Sequence, residues 1–322
     1  MSQNEFLESR CPLCTGMEFL AAQLGLLKCT QCGLVVSPAI WQPQANEELE
    51  EEWFGANYQA QTSFWVRWFE SWNNRRTLRR LVKAKPSGPR LLEIGVGSGS
   101  FLESARKRGF EVMGCDLSST ICERVRRTHG ITMHCGTVAE MEVEDRFDVV
   151  VMNHVLEHVN EPVAFLRDVL RLLAPGGVVH IAVPNVACWE AHLPGWTSYE
   201  PYHLAYFTPE TLGRTVSSGG FSIEDEKTYE SFSGWFLAVL RTVLGVNRHD
   251  QAIQANVRSG RIATNKPRSA LAEHAYRLGM VCAGGGDMAA ARSSGCTRLW
   301  GRSHLHRPQA IHQFGTVMIY GS

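Results

Sequence analysis

Leu91 to Ser100 reads LLEIGVGSGS: a short apolar run, one acid at Glu93, then Gly95, Gly97 and Gly99 at alternate positions. An apolar run that passes straight into spaced glycines predicts a buried strand, a tight turn and the start of a helix. As a dinucleotide fingerprint the stretch fails at its sixth position, where Ser100 stands in place of Gly or Ala. Charge separates the ligand classes further. Glu93 precedes the first glycine by two residues; it would repel a pyrophosphate and attract a ligand carrying an ammonium and a sulfonium. Asp116, 21 positions after Gly95, closes the next strand and is placed to accept both ribose hydroxyls, in either cofactor class.

Strands and helices alternate outward from this turn. Arg90 to Ile94, Glu111 to Cys115, Thr132 to Cys135, Phe147 to Met152 and Val178 to Val183 read as strands. Between them, Ser100 to Arg108, Ser118 to Thr128 and Pro162 to Leu173 read as helices, stopped respectively by Gly109, Gly130 and Pro175-Gly176-Gly177. The repeat predicts an α/β fold with a doubly wound, mostly parallel sheet, binding its ligand beyond the carboxyl ends of the strands.

The chain has 322 residues, with 32 Lys+Arg balancing 32 Asp+Glu, so bulk charge provides no attraction to nucleic acid or to an anionic membrane. Apolar residues make up 44%, a globular balance that excludes fibres and disorder. The apolar run Trp235 to Leu240 falls far short of a bilayer span of about 20 residues. The first residues, MSQNE, lack the regions of a signal peptide, which points to a cytoplasmic protein with reduced cysteines.

Four of the ten cysteines form two Cys-x-x-Cys pairs, Cys11/Cys14 and Cys29/Cys32, with fourteen residues between them. That spacing predicts a closed structural zinc site, with Gly16 and Gly33 easing the turn after each pair. Downstream, an acidic run from Glu47 to Glu52, five of nine tryptophans and a basic run from Arg75 to Lys85 crowd residues 41–85. Phe64, Trp65, Trp68, Phe69, Trp72, Leu78 and Leu81 or Val82 recur at helical steps, which predicts a packing helix with a solvated basic face. Pro86-Ser87-Gly88-Pro89 marks a boundary. The expected organisation is a zinc ribbon (1–40), an aromatic and basic helical connector (41–85), an α/β core (86–226) and an insertion or cap (227–322).

In order and spacing, LLEIGVGSGS (91–100), GCDLSS (114–119), FDVVVMNHVLEHV (147–159), LLAPGGVVHIAVPN (172–185) and HLAYFTPETLGRTVSSGGF (203–221) resemble a class I S-adenosylmethionine-dependent methyltransferase, closest to the quinone-biosynthesis O-methyltransferase branch. The resemblance implies a seven-stranded Rossmann-like sheet whose last strand runs antiparallel between the fifth and sixth. Phe221 to Asp225 suits the sixth strand and Thr316 to Tyr320 the seventh. It also implies Glu93, Gly95, Gly97 and Gly99 around the methionine portion of S-adenosylmethionine, Asp116 on the ribose, Thr137 or Val138 near the adenine, Asn153 at the reacting methyl, and Leu117 among the cofactor-binding residues. A zinc ribbon ahead of such a core resembles some sugar C-methyltransferases and, more loosely, a ribosomal-RNA guanine methyltransferase type.

A hydroxyl acceptor must lose a proton, and histidine suits that task near neutral pH. His154, nearest the end of the fourth strand, is the expected base, with His158 and His203 close by. His154 to His158 also spells the H-x-x-E-H string of one metalloprotease class, but a sheet strand and Pro162 exclude the long carrier helix it needs. A cation held by His154, Glu157 and His158 is a weaker alternative. Aromatic residues from Trp189 to Phe207 either enclose the acceptor or pack a long loop. The expected function is methyl transfer to a small-molecule acceptor. RNA modification, with the ribbon and basic helix gripping phosphates, and a non-catalytic cofactor-binding scaffold are the rivals.

Overall fold

Arg90–Ile94 (β4) lies in the interior of the sheet because its residues are apolar toward both faces: Leu91 and Leu92 are each fully buried, on opposite sides. The computed structural model describes residues 10–41, 64–84, 86, 88–142, 146–196, 198–200, 202–229 and 232–247, together with the backbone of 295–299 and 315–320. Before β4 come three short strands, Phe19–Ala21 (β1), Leu27–Cys29 (β2) and Val35–Val36 (β3), and the helix Phe64–Lys83 (α1). After β4 the chain runs through Ser100–Arg106 (α2), Glu111–Asp116 (β5), Ser119–His129 (α3), Thr132–Cys135 (β6), Phe147–Asn153 (β7), Pro162–Leu172 (α4) and Leu173–Ala182 (β8). It continues through Ala205–Tyr206 (β9), Pro209–Ser218 (α5), Phe221–Tyr229 (β10), Phe232–Val243 (α6), Gly295–Leu299 (β11) and Gly315–Tyr320 (β12).

The large sheet has the order β11-β10-β12-β8-β7-β4-β5-β6. Alternation along its strands feeds two cores. Leu91, Val149 and Val151 face a layer built from Leu78 and Leu81 of α1, Phe101 and Leu102 of α2, and Ile121 and Val125 of α3. Leu92, Val150 and Met152 face the opposite layer, built from Leu166 and Val169 of α4 and Leu212 and Val216 of α5. Local signals bound α3 close to where the sequence places them. Ser118 Oγ accepts from the Ile121 amide at 3.3 Å to cap α3, and Gly130 closes it at φ +61°.

The cysteine-bearing N-terminal unit does not stand apart. Its strands form the order β1-β2-β3-β9, so its sheet is completed by a strand from beyond β8. Cys11, Cys29, Cys32, Leu34 and Val36 share one buried cluster with the α4 and α5 layer.

Several expectations are corrected. β12 does lie between β8 and β10, but it runs parallel to both, where the resemblance implies an antiparallel strand. The physical reason is the connection: residues 230–314 are long enough to return to the far end of the sheet, as a parallel crossover requires. An eighth strand, β11, within the expected insertion or cap, pairs antiparallel with the outer edge of β10. β8 begins at Leu173, so the Pro-Gly-Gly segment belongs to an extended strand entry. At the first Cys-x-x-Cys turn the left-handed residue is Thr15, at φ +61°, and not Gly16; only Gly33, at φ +79°, needs glycine's freedom. The acidic run 47–52 and the side chains of Phe64, Trp65, Trp68 and Phe69 lie outside the described residues.

The α1 face is settled at its carboxyl end, where Leu81 is fully buried and Val82 is 52% exposed. Leu81→Ala is expected to lower the unfolding free energy by about 3 kcal/mol in urea titration, and Val82→Ala by less than about 0.5 kcal/mol.

Candidate active site

The glycine turn after β4 takes a conformation that side chains resist. Gly95, Gly97 and Gly99 have φ of +72°, +54° and +79°. At Gly95 a Cβ would also stand 2.6 Å from Val155 Cγ2, so a close approach and a left-handed backbone coincide. Asp116, at the end of β5, holds this turn: one carboxylate oxygen accepts from the Val96 amide at 2.9 Å and the Gly97 amide at 3.5 Å, and the other from Ser118 at 3.0 Å. Arg124 donates to the Gly97 carbonyl at 2.8 Å. The Gly136 amide donates to the Asp116 carbonyl at 3.1 Å and brings the turn after β6 alongside.

Glu93 sits under this turn, buried, and its Oε2 has no hydrogen-bond partner among the described residues. Burial, and then the charge of Asp116, raise its carboxyl well above the usual carboxylate range. Burial raises Asp116 too, opposed by the amides of Ser118, Gly97 and Val96. Two acids held close together in a dry pocket favour a cationic guest, because a positive charge stabilises both ionised forms at once. An ammonium and sulfonium ligand fits that demand. Leu117, next to Asp116, is a large apolar side chain left 64% exposed. Thr137 donates from its amide and its hydroxyl to Glu140 Oε2 at 2.7 and 2.8 Å, while Val138 is buried.

At the end of β7, Asn153 Oδ1 lies 3.1 Å from Nε2 of His180, a fully buried residue of β8. His154 follows at φ +55°, a conformation uncommon outside glycine, pinned by its amide donating to the Ala182 carbonyl at 2.8 Å. Its ring is 51% exposed, and Nδ1 lies 3.1 Å from Glu157 Oε1. Burial pulls His154 down, but the hydrogen bond and charge of Glu157 outweigh it, so the ring titrates above its ordinary range.

Glu157 is buried, and its Oε2 has no hydrogen-bond partner among the described residues. His158 stacks on Tyr202 with centroids 5.3 Å apart and meets His203 edge-on at 4.8 Å. His203 Nδ1 donates to the Ser198 carbonyl at 2.8 Å, which leaves Nε2 as the ring's acceptor. Burial first, and neighbouring imidazoles second, pull His158 and His203 each down to about 3. Both are neutral at physiological pH. The segment carrying H-x-x-E-H is a single tight turn, Leu156–His158, so His154 and His158 do not share a helix face. The metalloprotease reading fails here as expected. The ligand atoms that do gather within 4.8 Å of one another belong to Glu157, His158 and His203, with His203 in place of His154.

The four N-terminal cysteines converge, their sulfurs all within 4.8 Å of one another. Cys11 Sγ lies 3.4 Å from Cys32 Sγ, and Cys14 Sγ lies 3.5 Å from Cys29 Sγ. A tetrahedral zinc with bonds of 2.3 Å sets sulfurs about 3.8 Å apart, so the cluster has the dimensions of a metal site. Burial pushes the Cys11 thiol up to about 11, a cost that a bound cation would remove.

Residues 67–226 match the family model described as a methyltransferase domain. The chain carries a class I S-adenosylmethionine-dependent methyltransferase domain. It is 36% identical over 104 residues to a ubiquinone biosynthesis O-methyltransferase of Rhodopseudomonas palustris (strain BisB5), covering 31% of this chain and 41% of that one. It is 30% identical over 156 residues to a protein of the same name from Nitrobacter winogradskyi, covering 44% and 59%. The chain therefore spans well under two thirds of the length of these relatives. Among solved structures, it is 26% identical to the S-adenosylmethionine-bound amino pentose methyltransferase CalS10 of Micromonospora echinaspora, covering 39% of this chain and 53% of that one, with a TM-score of 0.33.

In this methyltransferase domain the structure brings Glu93, the glycine turn and Asp116 together, and separately gathers His154, Glu157, His158 and His203. Sequence reading missed Arg124 and His180. His180 carried a signal: a polar residue within the apolar run from Val178 to Ala182 must find a partner when buried. Arg124 carried none, because its contact with Gly97 depends on how α3 returns over the turn.

Glu93 titrates higher folded than unfolded, so its contribution to stability is present at low pH and is lost as pH rises through the folded value. Glu93→Gln is therefore expected to raise the melting temperature of the free protein at neutral pH by about 2 to 4 °C, while weakening S-adenosylmethionine binding about tenfold in calorimetry.

Proposed function

We propose that this protein transfers a methyl group from S-adenosylmethionine to a small-molecule acceptor, at the hydroxyl or carbon of a quinone-, sugar- or secondary-metabolite-like compound. The observation that carries this reading is Glu93, buried beside the left-handed glycine turn, with the half-buried Asp116 next to it: two carboxyls whose ionised forms a cationic nucleoside would stabilise. When bound there, S-adenosylmethionine supplies a methyl group activated by a positive sulfur. Glu93, Gly95, Gly97 and Gly99 receive the methionine portion and Asp116 the ribose hydroxyls, Thr137 or Val138 borders the base, and Leu117 completes the cofactor-binding set. Asn153, oriented by His180, lines the reacting end. The protein's main contribution is alignment of donor and acceptor.

His154 removes the proton of a hydroxyl acceptor. Its exposed ring, fixed by Glu157 at the strand end, supports this role. Neutral His158 and His203 hold the wall behind it. Cys11, Cys14, Cys29 and Cys32 hold a structural zinc. The proposed organisation keeps the donor-binding core at 86–226, with the ribbon at 1–40, a helical connector at 41–85 and a cap from 227 onward. No helix among the described residues is long and apolar enough to cross a membrane, which is consistent with the cytoplasmic setting proposed.

Calorimetry should show saturable S-adenosylmethionine binding that is abolished in Asp116→Ala; heats that differ between buffers should reveal a proton released as Glu93 ionises. Binding that survives Asp116→Ala would refute the placement of the donor. Turnover should rise with pH through a value above the ordinary histidine range, and His154→Gln should remove that limb and slow turnover about a hundredfold. Tight RNA binding that collapses with added salt would favour the RNA-modifying alternative.

A further inference from the structure

The cysteine unit is joined to the acceptor half by three kinds of link. The first is backbone: β3 pairs antiparallel with β9, Val35 opposite Tyr206 and Val36 opposite Ala205. The Ser37 amide donates to the Leu204 carbonyl at 2.8 Å, and the Leu204 amide donates in turn to the Glu157 carbonyl at 2.8 Å. One residue, Leu204, next to His203, thus bridges the cysteine unit and the Glu157 turn. The second is packing: Cys11, Cys29 and Cys32 share a buried cluster with Leu204, Ala205 and Phe207, and Leu26 shares another with Trp196, Tyr199 and Tyr206. The third is polar: Arg214 of α5 donates to the Cys32 carbonyl at 3.2 Å, and the Gln23 amide meets the Tyr199 hydroxyl.

These links have a direction. β3 and β9 are each two residues long, too short to be ordered alone. β3 follows directly from the turn made by Cys29 and Cys32, where the Gly33 amide donates to the Cys29 carbonyl at 3.0 Å and the Cys29 amide to the Leu34 carbonyl at 2.9 Å. A unit this small depends on its metal for order. The donor half is secured otherwise, by Asp116 on the Val96 and Gly97 amides and by the Gly95 amide donating to the Cys115 carbonyl at 2.9 Å, within the sheet itself.

We propose that the cysteine unit is the positioning element of the acceptor half. Metal held by the four cysteines orders β3, and Val35, Val36 and Ser37 then template residues 203–207, setting His203 and the Glu157 turn while leaving the Glu93 and Asp116 half intact. The inference rests on the zinc reading above.

The test uses the full chain, loaded with zinc, stripped by chelator and reloaded, with metal content, backbone hydrogen exchange and S-adenosylmethionine affinity measured in each state. Stripping should speed exchange in peptides covering 35–37 and 203–207 at least about tenfold and change donor affinity less than about threefold, and reloading should restore protection. The double variant Gln23→Ala with Arg214→Ala, which keeps every thiol, should retain its zinc and donor affinity yet exchange faster at 203–207. A chain that binds zinc but exchanges identically without it overturns this inference alone, as does loss of donor binding on stripping. A chain that takes up no zinc overturns the metal reading together with the inference.

Discussion

An ionisable carboxyl buried beside another acid, without a cation, is an expensive thing for a fold to keep, and Glu93 under the glycine turn is such a group. The surrounding architecture serves it. β4 must be buried on both faces to put Glu93 at the dry end of a central strand, and the glycines must take left-handed conformations to open the space above it. Asp116 already spends its oxygens on the amides of Val96, Gly97 and Ser118, so it shapes the turn while adding to the negative field. In the proposed function, a positively charged donor bound here would offset that cost, and its affinity would draw on the same free energy.

The histidine cluster proposed to face the acceptor is organised around Glu157. Its Oε1 holds the exposed ring of His154, and its carboxylate also lies among the ligand atoms gathered with His158 and His203. Burial keeps the latter two neutral, whereas His154 alone of the three is shifted upward, so the environment divides three chemically identical side chains into one titrating ring and two fixed ones. The aromatic loop contributes mainly packing: Trp196, Tyr199, Tyr206 and Phe207 are buried, and only Trp189 of the described tryptophans and tyrosines in that loop is strongly exposed. Gly195 lets helix α6 press onto this loop, since a Cβ there would stand 2.4 Å from the Ala238 carbonyl.

Joining a metal-sized cysteine cluster to that loop by backbone pairing gives the N-terminal unit an inward role. Its sheet is unfinished without β9, and β9 has no other neighbour within that sheet. An element whose sheet takes in a strand beside His203 is, on the inference above, part of the site's scaffold.

The sequence by itself determined the strand and helix alternation, the glycine turn with Glu93 and Asp116, and the paired cysteines, because each of these is written in local periodicity, backbone permission or ligand spacing. Tertiary structure alone decided the parallel direction of β12, set by a connection of 85 residues that carries no local signal. It also decided that Glu157 would gather His158 with His203, from a loop some forty-five residues away, while holding the more exposed ring of His154 as well. Such groupings are products of chain return, and a linear pattern cannot encode which buried groups will meet across a core until the layers have packed.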